Sequence, residues 1–210
     1  MKKLLVPLAL ALAAAAAHAD GLQALEQFVK NARTGRADFT QVVTSPPREG
    51  QAARSKTSTG SFEFARPSRF RFDYRKPFQQ TLVADGTTLW LYDADLNQVT
   101  ARRQQSVLGS TPAALIAAAP DLEALRKDFE LKAAPDRDGL QWVTATPRSR
   151  EGQLTSVRVG FRGEALSVLE ILDSFGQKSV MSFDKLQLNV PIPAGTFNFT
   201  VPKGADVLRQ

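Results

Sequence analysis

The strongest constraint on the fold is an alternation of aromatic and polar side chains with a period of two, which starts near residue 59. Its aromatic members are Phe62, Phe64, Phe70, Phe72 and Tyr74, and mainly charged residues stand between them. Successive side chains of a β-strand point to opposite faces of a sheet. The pattern therefore predicts antiparallel strands with one apolar face and one charged face.

Similar patterns predict strands along most of the chain. Segments 78–84 and 87–92 flank Asp85-Gly86, a pair that two-residue hairpin turns favour. Further strands are predicted at 37–43, 98–101, 128–133, 140–146, 154–161, 165–173 and 177–188, and an alternation at Phe197, Phe199 and Val201 closes the series. Helices are predicted at 20–34, 111–119 and 121–126, and a Pro- and Gly-rich loop at 46–57. This order indicates one curved antiparallel sheet or barrel covered by helices.

The first 19 residues have the three parts of a secretory signal peptide. Two lysines precede an apolar run from Leu4 to Ala17, and Ala17-His18-Ala19 is a cleavage site of the small-x-small type. We expect removal of residues 1–19, which leaves residues 20–210 as a single exported domain. The chain has no linker or internal repeat that would divide this domain.

The composition excludes most catalytic chemistry after residue 19. The chain has no Cys, and its one His is His18, in the predicted signal peptide. Thiol nucleophiles, imidazole bases and His- or Cys-bound zinc are therefore excluded. Hydrolysis by carboxylates needs a catalytic pair, and the sequence does not single out any two of Glu63, Asp73, Asp85 and Asp93 as one. The segment from Asp93 to Asn97 begins like a calcium loop but lacks its later ligands, so it is interpreted as a hairpin turn. We expect no enzymatic activity, no metal and no cofactor.

The apolar face of the predicted sheet has two interpretations. Its aromatic residues, together with Leu89, Trp90 and Leu91 from the next strands, could form an ordinary filled core. The predicted helix at 111–119 is rich in alanine, and a helix with such small side chains could instead cover a cavity. Composition alone leaves both interpretations open.

Four segments resemble one known family. Gly60-Ser-Phe-Glu-Phe-Ala-Arg66-Pro67-Ser-Arg-Phe70-Arg-Phe72 is similar to the Gly-x-Leu-x-x-x-Arg-Pro-x-x-Phe-x-Trp segment of the outer-membrane lipoprotein carrier (LolA) family, with Phe72 in place of the more usual Trp. The stretch from Leu82 to Thr100, the Thr111-Pro112 and Leu115-Ile116 positions, and the segment from Phe197 to Gly204 resemble later family segments in the same order.

The resemblance implies an incomplete, unclosed antiparallel β-barrel covered by a helical lid that encloses an apolar cavity. It implies a monomeric periplasmic chaperone that takes acylated, outer-membrane-destined lipoproteins from an inner-membrane ABC transporter (LolCDE) and delivers them to an outer-membrane receptor (LolB), without binding nucleic acid. We expect the acyl chains to contact Phe62, Phe64, Phe70, Phe72, Tyr74, Leu89, Leu91, Leu115 and Ile116.

Arg66 is expected to latch the lid. It precedes Pro67 at a strand end and matches the Arg-Pro of the family segment. A guanidinium offers five donors in a planar fork, which suits carbonyls left free at helix ends, here those of residues 115–119 and the Pro120 turn.

The sequence leaves two other functions open. A periplasmic binding module could sense lipid or lipoproteins through the same face without ferrying cargo. The other is a hydrolase that uses two carboxylates, although the sequence does not indicate which two residues would form the catalytic pair.

Overall fold

The computed structural model describes residues 20–47, 50–108, 119–149 and 152–210. Twelve strands in this part of the chain form a single sheet. The strands are β1 (Thr34–Ser45), β2 (Arg54–Ala65), β3 (Arg69–Lys76), β4 (Gln80–Asp85), β5 (Thr88–Asp93), β6 (Gln98–Arg103), β7 (Phe129–Arg137), β8 (Leu140–Pro147), β9 (Leu154–Arg162), β10 (Ala165–Asp173), β11 (Lys178–Leu188) and β12 (Asp206–Arg209). The helices are α1 (Gly21–Asn31), α2 (Gln104–Leu108) and α3 (Leu122–Asp128).

The sheet is open. Its strand order is β12-β6-β5-β4-β3-β2-β1-β11-β10-β9-β8-β7, so β12 and β7 are its two edges. All neighbouring strands pair antiparallel except β12, which runs parallel to β6. This order confirms the predicted mainly β fold with an unclosed antiparallel sheet. Within the described residues, no helix combines the length and apolarity needed to cross a membrane.

Helix α1 covers one face of the sheet, which we call the inner face. Asp20 caps the helix by accepting a hydrogen bond from the Gln23 amide at 2.8 Å. The ring of Phe28 lies 6.0 Å from that of Phe64 on β2 and 5.7 Å from that of Phe161 on β9. Because β2 and β9 belong to different halves of the sheet, α1 joins the two halves through a shared aromatic core.

Two element boundaries near the N-terminus were predicted wrongly. The helix ends at Asn31 rather than at residue 34, and Gly35, which directly follows the predicted helix, is buried within β1. A Cβ atom at Gly35 would collide with the ring of Phe64, so the glycine allows two strands to pack closely. Residues 54–57, predicted as loop, begin β2 and pair with the end of β1. Their polar side chains hid the strand because both of its faces are exposed there.

The C-terminal segment differs most from its prediction. Phe197 lies in a short 3-10 helix, Ala194–Phe197, and Phe199 and Val201 lie outside any strand. The last strand is β12, which the alternation did not indicate. The segment instead packs on the outer face of the sheet, where Phe199 stacks on Trp90 with ring centroids 5.2 Å apart. The short helix α2 was also not predicted. α3 matches the helix predicted at 121–126, whereas all of the helix predicted at 111–119 except Ala119 lies outside the described residues.

The two ends of the sheet differ in their connections. The β3–β4, β5–β6 and β10–β11 connections, residues 77–79, 94–97 and 174–177, lie at the same end, which we call the rim. Arg66 and the turn between β4 and β5 lie at the opposite end, the Arg66 end. The predicted hairpin forms, but Asp85 is the last residue of β4, so the turn lies one residue later, at Gly86-Thr87. Asp85 holds this turn by accepting hydrogen bonds from the Thr87 and Thr88 amides, both at 2.8 Å.

Candidate functional site: the inner face and Arg66

The register of β2 and β3 gathers the predicted aromatic residues on the inner face. Phe62 pairs with Phe72 across β2 and β3, and their rings stack with centroids 4.4 Å apart. Phe64 pairs with Phe70 in the same ladder, and Phe70 lies opposite Ala84 of β4. The four phenylalanines are buried. Sequence reasoning therefore placed these side chains on the correct face of the correct strands.

Burial decreases along the inner face from the Arg66 end to the rim. Tyr74, nearest the rim on β3, is half-buried, with its ring edge-on to Phe39 at 4.9 Å. Leu89 is also half-buried, and Leu91, closer to the rim on β5, is 41% exposed. Apolar side chains on one face of a sheet are usually buried against another element. The exposure of Leu91 therefore shows that the rim half of the inner face is an apolar surface that is only partly covered.

Burial also changes the chemistry of the Tyr74 hydroxyl. Removal from water penalises the phenolate, and this raises the pKa of Tyr74 to about 12. The hydroxyl is therefore a neutral group on an apolar surface at any physiological pH.

Trp90 does not belong to the inner face. The sequence predicts Trp90 on the same apolar face as Leu89 and Leu91, but it stands between them on β5, and alternation turns it to the outer face. There it stacks on Phe199, and its Nε1 donates to the Asp85 carboxylate at 2.8 Å. The run Leu89-Trp90-Leu91 is apolar because both faces of β5 are covered, a feature that a search for alternation misreads as one face.

Arg66 joins three parts of the chain at its end of the sheet. Its Nε donates to the carbonyl of Ala32 at 2.8 Å, just after α1, and its Nη1 donates to the carbonyl of Ala119 at 2.7 Å. Its guanidinium carbon also lies 5.5 Å from the ring centroids of Phe28 and of Phe64. Ala119 is the last residue of the helix predicted at 111–119, and the contact with Ala32 was not anticipated because the sequence offers no signal for it.

The environment of Arg66 is unusual for an arginine. Burial and the nearby Arg33 lower the pKa of Arg66 to about 10, so the side chain stays cationic at neutral pH while desolvated. Hydrogen bonds from a charged donor to buried carbonyls are stronger than neutral ones. The hydrogen bonds of Arg66 are therefore strong, but they form only while the carbonyls of Ala32 and Ala119 both stay beside the guanidinium.

The carboxylates near the strands hold backbone and side chains together. Asp73 forms a two-pronged ion pair with Arg71, with nitrogen–oxygen distances of 2.6 and 3.0 Å, and accepts a bond from Thr81. Burial acts to raise the pKa of Asp85, but hydrogen bonds from Thr88, Trp90 and Thr87 outweigh it and lower the pKa. Hydrogen bonds from Gln80 and the Leu96 amide likewise lower the pKa of Asp93. Asp85 and Asp93 are thus stabilised as anions, which is unsuited to a general acid.

Other inner-face residues were missed by the sequence reasoning. Leu82 on β4 lies opposite both Phe72 and Leu91, and Phe39 on β1 contacts Phe72 and Tyr74. Leu82 was recognisable from its alternation with Val83, whereas Phe39 is an isolated aromatic residue that only the pairing of β1 with β2 places here. Leu115 and Ile116, predicted to contact acyl chains, lie outside the described residues.

Comparison with known proteins identifies the family. The model of the family described as Outer membrane lipoprotein carrier protein LolA matches residues 30–200. The chain belongs to the LolA family. The match includes Arg66 and all of the inner-face strands β2 to β5.

Individual relatives agree with the family assignment. An outer-membrane lipoprotein carrier protein from Albidiferax ferrireducens is 66% identical over 198 residues, which covers 92% of this chain and 93% of the relative. A protein of the same name from Methylibium petroleiphilum is 54% identical over 202 residues, covering 96% of each chain. A crystal structure of an uncharacterized conserved protein from Thermus thermophilus covers 90% of this chain and 96% of its own with a TM-score of 0.51; at 13% identity it shows that the LolA-family fold is shared.

Proposed function

We propose that this chain is a periplasmic carrier of acylated lipoproteins. It would accept them from an inner-membrane ABC transporter (LolCDE) and deliver them to an outer-membrane receptor (LolB), after export through the signal peptide at residues 1–19. The observation that carries the proposal is the apolar inner face, which is buried at the Arg66 end and partly uncovered at Leu91, in a chain of the LolA family. Acyl chains would enter at the rim and spread toward the Arg66 end.

The energetics of such a carrier require that empty and loaded states compete. Burial of acyl chains stabilises a complex by about 0.8 kcal/mol per methylene, so several chains amount to tens of kcal/mol before any cost. A protein with that full affinity would not release its cargo. In the described state Phe62, Phe64, Phe70 and Phe72 already bury one another, so a ligand must displace existing contacts and gains only the difference.

Arg66 is proposed as the latch of this empty, closed state. Its hydrogen bonds to the carbonyls of Ala32 and Ala119 tie the end of α1 to the end of the predicted lid. Charge-assisted bonds of this kind contribute about 1.5–3 kcal/mol each. They are strong enough to bias the closed state and weak enough to break when an ATP-driven donor loads cargo.

Handover then needs no chemistry in this chain. The receptor has only to offer a better apolar site while re-closure of the carrier competes with the cargo. The carboxylates Asp73, Asp85 and Asp93 are engaged in the sheet and its turns, which supports a carrier rather than a hydrolase.

The test is release of a labelled lipoprotein from inner-membrane vesicles that contain the transporter and ATP, followed by assay of the soluble fraction. Leu91→Glu places a charge on the uncovered part of the inner face, and we expect uptake to fall at least about fivefold with the fold intact. Val207→Glu is the matched control, since Val207 is 38% exposed on the edge strand β12, away from the inner face.

The outcomes separate the candidate functions. Soluble lipoprotein that later transfers to receptor-containing outer membranes supports the carrier. Binding without any transfer would indicate a sensing module instead. Equal uptake by Leu91→Glu and wild type would remove the inner face from the binding site.

A further inference from the structure

We propose that the rim is a docking surface for an anionic phospholipid bilayer, formed by Phe78 and Phe175 with the neighbouring cations Arg54, Lys56 and Lys178. The proposal does not require that the inner face carries lipoproteins, because it concerns contact with the lipid surface alone.

Phe78 and Phe175 are exposed at the tips of two rim connections. Phe78, between β3 and β4, is 49% exposed, and Phe175, between β10 and β11, is 68% exposed. The turn around Phe175 is fixed by its backbone, since the Asp173 carboxylate accepts hydrogen bonds from the Phe175 amide at 2.9 Å and from the Gln177 amide at 2.8 Å. The fold thus holds the phenylalanine in water without needing its ring.

Exposed apolar residues are unevenly distributed between the two ends of the sheet. Among the large exposed apolar side chains of the described residues, Phe78, Leu91, Leu96, Leu172 and Phe175 lie at or near the rim, and Val201, Val207 and Leu208 lie in the C-terminal segment. The Arg66 end instead turns at Gly86-Thr87, at Asp138-Gly139 and at Gly163-Glu164. Polar and glycine residues are the usual occupants of turns, so the phenylalanines of the rim are not explained by turn formation.

Three exposed cations stand near the two phenylalanines, and the Asp173 carboxylate beside Phe175 is engaged by the backbone amides of its own turn. Arg54, Lys56 and Lys178 are exposed on the strands that run into the rim, and the ammonium of Lys56 lies 4.1 Å from the ring centroid of Phe78. The Nζ atom of Lys178 also forms an ion pair with Glu170, 3.6 Å from its Oε1 atom on the outer face. Leu96 is excluded from the surface because its turn carries Asp93 and Asp95, which would face anionic headgroups unfavourably.

The positions of the two phenylalanines suit a flat partner. Their connections are separated in the sheet by β3, β2, β1 and β11, which corresponds to about 20 Å at the usual strand spacing. Two aromatic tips at this distance, at one end of the sheet, can enter one surface together. The uncovered part of the inner face at Leu91 opens toward the same end, so docking would bring that opening to the bilayer.

An anionic bilayer matches this combination of groups. Aromatic side chains partition into the interface between headgroups and acyl chains, and lysine or arginine near the surface adds electrostatic attraction to anionic lipids. Two exposed rings and a few cations give weak, reversible binding, because stable anchoring requires far more buried apolar area.

The experiment is sedimentation of the exported, processed protein with vesicles of phosphatidylglycerol and phosphatidylcholine, compared with vesicles of phosphatidylcholine alone. We expect at least about fivefold more bound protein on the anionic vesicles, and loss of this excess in high salt. The double variant Phe78→Ser/Phe175→Ser should reduce binding to anionic vesicles at least about fivefold, and Lys56→Gln/Lys178→Gln should reduce mainly the difference between the two vesicle types.

Arg103→Gln/Arg162→Gln is the matched control for the lysine variant, because it removes two exposed cations at the Arg66 end of the sheet. It should bind like wild type, and circular dichroism should show that all variants are folded. Wild-type protein that stays in the supernatant with both vesicle types, or a double phenylalanine variant that binds as wild type does, would overturn the proposal. The vesicles contain no lipoprotein, so this failure would leave the carrier function untouched.

Discussion

At the scale of single residues, depth along the inner face separates residues that hold the sheet together from residues available to a ligand. Phe62 and Phe70 are buried among other rings, and a charge there would test folding before it tested binding. Leu91 and Tyr74, nearer the rim, can change contacts without unpacking the core. The alternation in the sequence predicts the face of each residue but not its depth, because depth depends on which helix or strand covers it.

Tyr74 provides a titration probe of this intermediate depth. The chain has two tyrosines, so in the variant Tyr92→Phe the phenolate absorbance near 295 nm reports Tyr74 alone. We expect a midpoint of about 12 in the folded protein. Because the folded pKa lies above the unfolded value of about 10, the neutral hydroxyl contributes stability that is full below pH 10 and is lost as the pH rises from 10 to 12.

The stability effect is read as a difference between variants. Arg66, whose pKa is lowered to about 10, has the opposite effect on stability in the same pH range. The comparison of Tyr92→Phe with Tyr74→Phe/Tyr92→Phe cancels Arg66 and the lysines. A midpoint near 10 in the folded protein would mean that water reaches the Tyr74 hydroxyl and that this part of the inner face is open.

At the scale of secondary-structure elements, prediction succeeded where one face of a strand was buried and failed where both faces were alike. Strands β3 and β8 to β11 alternate or are bounded by turn residues, and their positions were predicted within a few residues. The start of β2 is polar on both faces, and β12 is a short, exposed edge strand. The position of the C-terminal segment on the outer face depends on distant pairing that a local pattern does not contain.

The stack between Phe199 and Trp90 is the main aromatic contact of that segment, and its removal has a specific signature. Phe199→Ala should lower the free energy of unfolding by about 1–3 kcal/mol, from lost burial and lost ring contact. Trp142, the other tryptophan, is buried and should emit unchanged, so a red shift of fluorescence would report exposure of Trp90. Phe175→Ala, at a 68% exposed tip, should change neither signal. An unchanged emission spectrum in Phe199→Ala would show that the segment does not depend on this stack.

At the scale of the whole molecule, Arg66 links the sheet, α1 and the end of the predicted lid through two backbone carbonyls. The sequence indicated this residue through its place before Pro67 and the family resemblance, and it indicated a carbonyl near residue 119. It did not indicate Ala32, because a hydrogen bond from a strand end to the residue after a helix follows from packing and not from spacing. Because Arg66 also binds this second carbonyl, one side chain connects the end of α1 with the end of the predicted lid.

Arg66→Leu should therefore separate loading from delivery. Leucine fills space but donates to neither carbonyl, so the closed state loses its charge-assisted bonds and competes less well with cargo. A loss of one such bond, about 1.5–3 kcal/mol, corresponds to a change of more than tenfold in the closed–open equilibrium. We expect the variant to take up lipoprotein and to transfer it to receptor-containing membranes at least about tenfold more slowly.

Arg66→Lys should be less impaired, since lysine keeps the charge but cannot reach two carbonyls with one planar fork. Arg69→Leu, at an exposed arginine of β3, is the control and should transfer normally. Transfer by Arg66→Leu at the wild-type rate would show that the contacts of Arg66 serve the fold and not release.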